Sequence, residues 1–94
     1  MIRVVRMIQG RWKLPILFRL YAAPLRTLQL KRDLSGISQK MLTQHLRELE
    51  RDGLVVRTDH GERLPRVEYG LSDAGLRLLP LLREARDFSR AHPP

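Results

Sequence analysis

A run of hydrogen-bond donors at helical spacing is the feature of this sequence best suited to chemistry. The segment from Gly36 to Val55 contains both leucines and hydrogen-bond donors. The donors, here called the donor strip, are Lys40, Gln44, Arg47 and Arg51. At about 100° per residue, all four fall within about 40° of the pole opposite Leu42, Leu46 and Leu49. Lysine and arginine pair with phosphate oxygens or guanine acceptors, and glutamine can bridge an adenine edge. The pattern favours a helix that meets the major groove of duplex DNA.

The alternative without a binding function is that the donor strip is only a solvated helix face. Glu48, Glu50 and Asp52 lie on the same helix and offer ion-pair partners on neighbouring turns. Thr43 and Gln44 favour DNA, because reading bases requires uncharged hydrogen-bonding groups as well as cations. The chain also carries 18 Lys and Arg against 10 Asp and Glu, and this formal charge of +8 indicates a polyanionic partner or an anionic membrane surface. No helix pairs a bulky exposed apolar face with a lysine-rich one, which disfavours a membrane binder.

Residues around the donor strip extend the candidate DNA site. Ser38 is the expected N-cap of the helix, whose free N–H groups can bind a phosphate. In a docked helix-turn-helix the N-terminal half of the helix meets base edges. Gln39, Thr43 and Gln44 should therefore carry more of the specificity, and Arg51 should hold the backbone. Further candidate contacts lie before the motif or around the predicted hairpin, and they are Arg26, His60, Arg63 and Arg66. Charge that protects a strand edge is the alternative interpretation of the hairpin residues.

The elements that position these residues form a single domain over residues 1–94. Helices are expected at 2–9, 11–23, 27–34, 39–52 and 73–91, and strands at 54–58 and 66–71. Thr27, Ser38 and Ser72 are the predicted N-caps. Gly36 and Gly53 suit the turns that flank the helix 39–52. The fold class is mainly α with a small β-hairpin, and a tight turn between two helices followed by a hairpin is typical of a winged helix-turn-helix.

The last helix carries more apolar side chains than one small core can easily cover. They are Leu76, Leu79, Leu82 and Phe88, and the helix at 11–23 adds Trp12 and Phe18. A homodimer would bury this excess, so these six residues are the predicted dimer interface. Pro80 lies within the same helix and predicts a kink or a helix-to-helix junction.

Several classes of function lack the residues that they need. Cysteine is absent, which removes disulfides, thiolate metal sites and thiol switching. His45, His60 and His92 have no second ligand at helical spacing, which argues against a metal site. No glycine-rich phosphate loop or nucleophile elbow supports an enzyme or a bound cofactor. No apolar run reaches about 18 residues and charges interrupt the N-terminal segment, so the expected location is the cytoplasm, on the nucleoid.

The sequence resembles the HxlR-type family of bacterial winged helix-turn-helix transcription regulators in three motifs, GRWKLPIL, GISQKMLTQHLRELERDGLVVR and RVEYGLSDAG. The match runs from about Gln9 to Leu82. The resemblance implies a homodimer that binds operator DNA, with the helix 39–52 in the major groove and the hairpin tip on the neighbouring backbone or minor groove. It also implies that the N- and C-terminal helices form the dimer. Many members sense oxidants with an N-terminal cysteine, which this chain lacks.

A winged-helix module that binds an acidic protein is the second hypothesis for the same basic face. Retardation of DNA in a gel shift with competitor DNA would separate the two hypotheses. A small-molecule effector is a further possible partner, and in so compact a chain it would have to lie between subunits or beneath the terminal helices.

Overall fold

Helices and one hairpin alternate along the chain in the computed structural model, which describes residues 2–61, 63 and 66–94. The helices are α1 Ile2–Ile8, α2 Lys13–Ala22, α3 Thr27–Asp33, α4 Gln39–Arg51 and α5 Asp73–Ala91, and the strands are β1 Val55–Asp59 and β2 Val67–Leu71. Each predicted helix and strand is confirmed, with ends that differ by at most two residues. The predicted class, mainly helical with a small hairpin, is also confirmed.

Two of the three predicted N-caps are confirmed and the third is wrong. The hydroxyl of Ser38 accepts a hydrogen bond from the backbone N–H of Met41 at 3.1 Å, and that of Ser72 accepts one from Gly75 at 3.0 Å. Thr27 is instead the first residue of α3, and the extended residue Arg26 precedes it without a side-chain cap. The cause is a long-range contact, because two backbone hydrogen bonds of 2.9 Å join Leu25 to Tyr69 and hold the chain extended up to that point.

Glycines at both ends of α4 set the direction in which this helix leaves its turns. Gly36 has a φ of +95° in the turn after α3, and Gly53 has a φ of +81° directly after α4. Both values lie in the left-handed region that favours glycine, as the sequence predicts. After Gly53 the backbone N–H of Leu54 bonds to the carbonyl of Leu49 at 3.0 Å, and β1 begins at once. The helix is therefore capped at both ends and tied directly to the hairpin.

The apolar core lies between α2, α4, α5 and the base of the hairpin. Its buried members are Trp12, Ile16, Leu17, Leu20, Leu30, Leu34, Ile37, Leu42, Leu46, Leu49, Leu54, Val55, Tyr69, Leu79 and Leu82. Among the described residues seven large side chains are fully buried, and three of these, Leu42, Leu46 and Leu49, come from α4. Burial of this one stripe is the main source of stability for a short helix, and it fixes which face of α4 points outward.

The hairpin is antiparallel, with Val55 opposite Leu71 and Asp59 opposite Val67. Its Tyr69 is buried and pairs with Leu25, so the hairpin is joined to the segment that leads into α3. Beyond Asp59 the backbone N–H of His60 bonds to the carbonyl of Arg66 at 2.9 Å. The tip residues Glu62, Leu64 and Pro65 lie outside the described residues.

Helix α5 continues through Pro80, so of the two predicted alternatives, a kink or a helix-to-helix junction, the junction does not occur. Proline cannot donate to the carbonyl four residues earlier, which belongs to Leu76. Both Pro80 and Leu76 are exposed, so water can satisfy that carbonyl and the helix can proceed.

Gly75 is expected to tolerate no side chain, even though alanine is the better helix former. A Cβ at this position would lie 2.3 Å from the carbonyl oxygen of Leu54. That oxygen already accepts a hydrogen bond from the backbone of Ser72 at 3.0 Å, so it cannot retreat without weakening this bond. Gly75→Ala should lower the free energy of unfolding by about 1–3 kcal/mol, the usual cost of overpacking.

Urea unfolding followed by circular dichroism measures this change. Ala74→Ser is the control, since Ala74 is exposed on the same turn and should change stability by no more than about 0.5 kcal/mol. A Gly75→Ala variant as stable as the wild type would show that α5 does not approach Leu54 this closely.

Candidate nucleic-acid interface

The donor strip lies on the outer face of α4, as the helical wheel predicts. Its four residues are exposed, while Leu42, Leu46 and Leu49 on the opposite face are completely buried. Gln39 is also exposed and Thr43 is half-buried beside it. Together with Glu48, these side chains line one shallow hollow along the helix. The structure therefore brings the predicted base-reading and phosphate-binding residues of α4 onto a single surface.

The cations of the donor strip carry no acidic partner among the residues that the structure describes. None of the ion pairs found there includes Lys40, Arg47 or Arg51. The alternative of a self-neutralised helix face required pairs with Glu48, Glu50 or Asp52, and such pairs do not form within this part of the chain. Three positive charges are thus presented to solvent on one side of the helix.

Both glutamines of the interface are engaged in weak contacts along the helix. The amide nitrogen of Gln39 donates to the hydroxyl of Thr43 at 3.3 Å, and that of Gln44 donates to a carboxylate oxygen of Glu48 at 3.1 Å. Side-chain pairs at i, i+4 spacing contribute only about 0.2–0.5 kcal/mol on a helix surface. Each contact uses one N–H group of its amide, and the other N–H and the carbonyl oxygen remain available to a base edge.

An ion pair behind the strip ties α4 to α2. The ammonium of Lys13 lies 2.7 Å from the second carboxylate oxygen of Glu48, and only 8% of the Lys13 side chain is exposed. Hydrogen bonds from Lys13 and then from Gln44 lower the pKa of Glu48, so its carboxylate is charged at neutral pH. His45 is half-buried beside it, with Nδ1 at 3.9 Å from Glu48.

Lys13 is a residue of the site that no local pattern in the sequence marks. It is the first residue of an apolar helix, where an exposed lysine would look the same. Its partner Glu48 lies far along the chain, and only the tertiary fold brings the two together. A lysine next to Trp12 at the start of an apolar run was the only available signal, and it is not a specific one.

The hairpin residues predicted to contact DNA are only partly free to do so. The His60 ring lies 2.6 Å from a carboxylate oxygen of Glu68, and the guanidinium of Arg66 lies 3.9 Å from the same oxygen. One acidic side chain therefore engages both residues. Arg63 and Arg57 are exposed on the hairpin, and Arg26 is exposed just before α3. Arg26 precedes α4 in the chain and the hairpin residues follow it, which is the order that a winged helix-turn-helix requires.

The predicted dimer residues separate into two groups. Trp12, Leu79 and Leu82 are buried in the core of this single chain, so no excess of apolar surface remains at those positions. The reason is that α5 packs these leucines inward, against α2 and its neighbours. Leu76 and Phe88 are exposed, at 47% and 65%. Phe18 is half-buried and lies 5.0 Å beneath the guanidinium of Arg86.

Comparison with known proteins decides the family. A family profile described as HxlR-like helix-turn-helix matches residues 7–93. The chain belongs to the HxlR-like helix-turn-helix family. The family suggested by the three sequence motifs is thereby confirmed.

Relatives of this HxlR-like chain are named as transcriptional regulators. The HTH-type transcriptional regulator YkvN of Bacillus subtilis is 47% identical over 77 residues, which cover 82% of this chain and 65% of the relative. YtcD of the same organism is 46% identical over 78 residues, which cover 83% of this chain and 62% of the relative. The HxlR-like chain thus spans slightly less than two thirds of the length of these two relatives.

Solved structures confirm the winged helix-turn-helix fold. The crystal structure of an HTH-type transcriptional regulator, ytcD, matches with a TM-score of 0.89 and 42% identity, over 95% of this chain and 91% of the other. The redox regulator HypR in its oxidized form matches with a TM-score of 0.86 and 31% identity, over 97% and 94% of the two chains. In the HxlR-like chain, α3 and α4 are therefore the helix-turn-helix and β1–β2 is the wing.

Two other kinds of site find no support over the same residues. No described helix of the HxlR-like chain has both the length and the hydropathy that crossing a bilayer requires. In the part of the chain that the structure describes, no three side chains of histidine, aspartate or glutamate converge as metal ligands would.

Proposed function

We propose that this chain is a transcription regulator that binds specific double-stranded operator DNA as a homodimer. The observation that carries the proposal is the outer face of α4. Three cations without acidic partners among the described residues stand beside Gln39, Thr43 and Gln44, on a helix whose opposite face is locked in the core. A helix of this kind can lie in the major groove, with cations on phosphates or guanine and amides on base edges.

The docked arrangement follows from the positions of the neighbouring elements. The N-terminal turn of α4, from Ser38 to Lys40, would face a phosphate with its free N–H groups. Arg26 at the start of α3 would contact the backbone, since the first helix of the motif crosses it. His60, Arg63 and Arg66 would bring the wing onto the neighbouring backbone or minor groove. The net charge of +8 would draw the protein to DNA before any base is read.

A homodimer would place two copies of α4 on one face of the duplex. Support comes from apolar side chains that remain exposed on the terminal helices, Val5 at 49% on α1 and Leu76, Leu81 and Phe88 at 47–65% on α5. A monomer of this size gains from covering such a surface. Twofold symmetry would then require a palindromic operator with half-sites about one helical turn apart. Binding to the chromosome would place the protein in the cytoplasm, on the nucleoid.

Selection of bound fragments from genomic DNA with purified protein tests the proposal. The expected result is a palindromic motif, together with gel retardation that survives excess competitor DNA and a dimer mass in sedimentation. No retardation even at low salt would overturn DNA binding. The basic face would then be better explained by an acidic protein partner, because the same charges attract either polyanion.

A further inference from the structure

The carboxylate of Glu48 joins the interior of the protein to the DNA-facing surface. Its two oxygens serve different partners, since one lies 2.7 Å from the ammonium of Lys13 and the other accepts from the amide of Gln44 at 3.1 Å. Lys13 belongs to α2, and among the described residues it is the one charged residue that is buried. Gln44 belongs to the exposed donor strip. The line Lys13–Glu48–Gln44 therefore runs from the core to the surface within three side chains.

The chemistry of this line leaves one orientation for the Gln44 amide. An ionised carboxylate can only accept hydrogen bonds, so the nitrogen of the amide must face Glu48 and its oxygen must face elsewhere. The ammonium of Lys13 keeps the Glu48 carboxylate ionised and offsets its negative charge. The paired carboxylate therefore repels an approaching phosphate less than a bare carboxylate would. A primary amide has two N–H groups, and only one is needed for Glu48.

We infer that Glu48, backed by Lys13, is a positioning residue that determines the base preference of Gln44. This inference rests on the proposed function. With one N–H held by Glu48, the amide presents its other N–H beside its carbonyl oxygen. That pair matches the N7 acceptor and N6 donor of adenine in the major groove. Without Glu48 the amide can turn over or change rotamer, and it loses the preset order of donor and acceptor.

The test compares base preference in selected DNA for the wild type and Lys13→Met/Glu48→Met. This double variant removes the acceptor while it leaves the net charge unchanged. Lys13 is buried and Glu48 is half-buried, and replacing such an ion pair with apolar side chains of similar size commonly preserves the fold. Preference at the base pair read by Gln44 should fall about three- to tenfold, the factor that corresponds to ordering one flexible side chain. Affinity for random duplex DNA should not change.

Two further variants locate the effect. Gln44→Ala identifies the base pair concerned, and the weakened preference in the double variant should be confined to that pair. Arg19→Gln/Asp33→Asn is the matched control, because it removes another ion pair of α2, at 2.6 Å, without touching the donor strip or changing net charge. Base preference should be unaffected by this control. Weakening spread over all positions, or an equal weakening in the control, would mean general loosening and overturn the inference.

The remaining outcomes separate the inference from the proposed function. If Gln44→Ala alters the preference and Lys13→Met/Glu48→Met does not, Glu48 has no positioning role although DNA reading stands. If the wild type selects no sequence, the proposed function itself fails and takes the inference with it. Should the double variant melt at the assay temperature, Glu48→Gln replaces it, because an amide at position 48 can donate or accept and no longer imposes one orientation. Unchanged preference in Glu48→Gln would overturn the inference.

Discussion

Replacing Leu42 with alanine is expected to lower the free energy of unfolding by about 2–5 kcal/mol. The side chain is completely buried on the inner face of α4 and belongs to the apolar core. Removing it forfeits the transfer free energy of the deleted methyl and methylene groups and leaves a cavity in a core that relaxes only partly. In a 94-residue domain this is a large share of a total stability of about 5–15 kcal/mol. Urea unfolding at constant temperature measures the change.

Met41→Ala is the control for this substitution, because Met41 is the preceding residue of the same helix and is 40% exposed. It should cost much less, close to the range of about 0.5 kcal/mol for surface positions. Once the folded fraction is taken into account, Leu42→Ala should bind DNA as the wild type does. Weaker DNA binding by fully folded Leu42→Ala would mean that the inner and outer faces of α4 are not separate in role.

Local patterns in the sequence were sufficient to predict most of the fold. The leucines of α4 repeat at helical spacing, and side-chain caps at Ser38 and Ser72 and glycines at 36 and 53 act within a few residues of themselves. Such features depend little on the rest of the molecule. Thr27 failed as a cap because Leu25 pairs with Tyr69, a contact between segments far apart in the chain that no local pattern encodes.

The same distinction explains the outcome for the terminal helices. Counting apolar residues on the last helix could not show which of them the core would take, and the structure buries Leu79 and Leu82 but leaves Leu76 and Phe88 outside. Pro80 predicted a kink or a junction, yet its effect depends on whether water reaches the carbonyl that it leaves unpaired. Lys13 and Glu48 lie on different helices and meet only in the folded chain. The candidate DNA surface was predictable because one helix, α4, carries it. The ion pair that supports this surface was not predictable, because it joins two helices.

Removing the three cations of the donor strip together is expected to have the largest effect on DNA binding. Lys40→Ala/Arg47→Ala/Arg51→Ala should weaken binding to operator and to random duplex alike, by about 100- to 1000-fold at about 0.1 M salt. The reason is that each cation bound to a phosphate releases counterions from the duplex. Log affinity should therefore fall less steeply with log salt, by a slope of about 0.9 for each phosphate no longer neutralised, or about 2.7 in all if every cation binds a phosphate.

The matched cation control is Arg90→Ala, compared with the single variant Arg51→Ala. Arg90 is exposed near the end of α5 and should leave the salt slope unchanged, whereas Arg51→Ala should lower it by the equivalent of about one phosphate. Equal effects of the two variants would mean that overall charge, and not the donor strip, governs binding. If the triple variant folds and binds DNA as tightly as the wild type, the strip is a solvated face and α4 does not enter the groove.

Gln44→Ala completes the comparison because it removes hydrogen bonding without removing charge. If its amide binds a base in bidentate fashion, the substitution should cost about 1–3 kcal/mol on the operator and almost nothing on random duplex. The salt slope should stay the same, since the number of neutralised phosphates does not change. Titration of each variant with both DNAs across a salt series measures affinity and slope together. If Gln44→Ala and the cation variants all weaken binding to operator and to random DNA in the same proportion, α4 does not divide base reading from backbone binding. Loss on the operator alone for Gln44→Ala, with loss on both DNAs for the cation variants, is the result expected from one helix with amides near its start and a cation near its end.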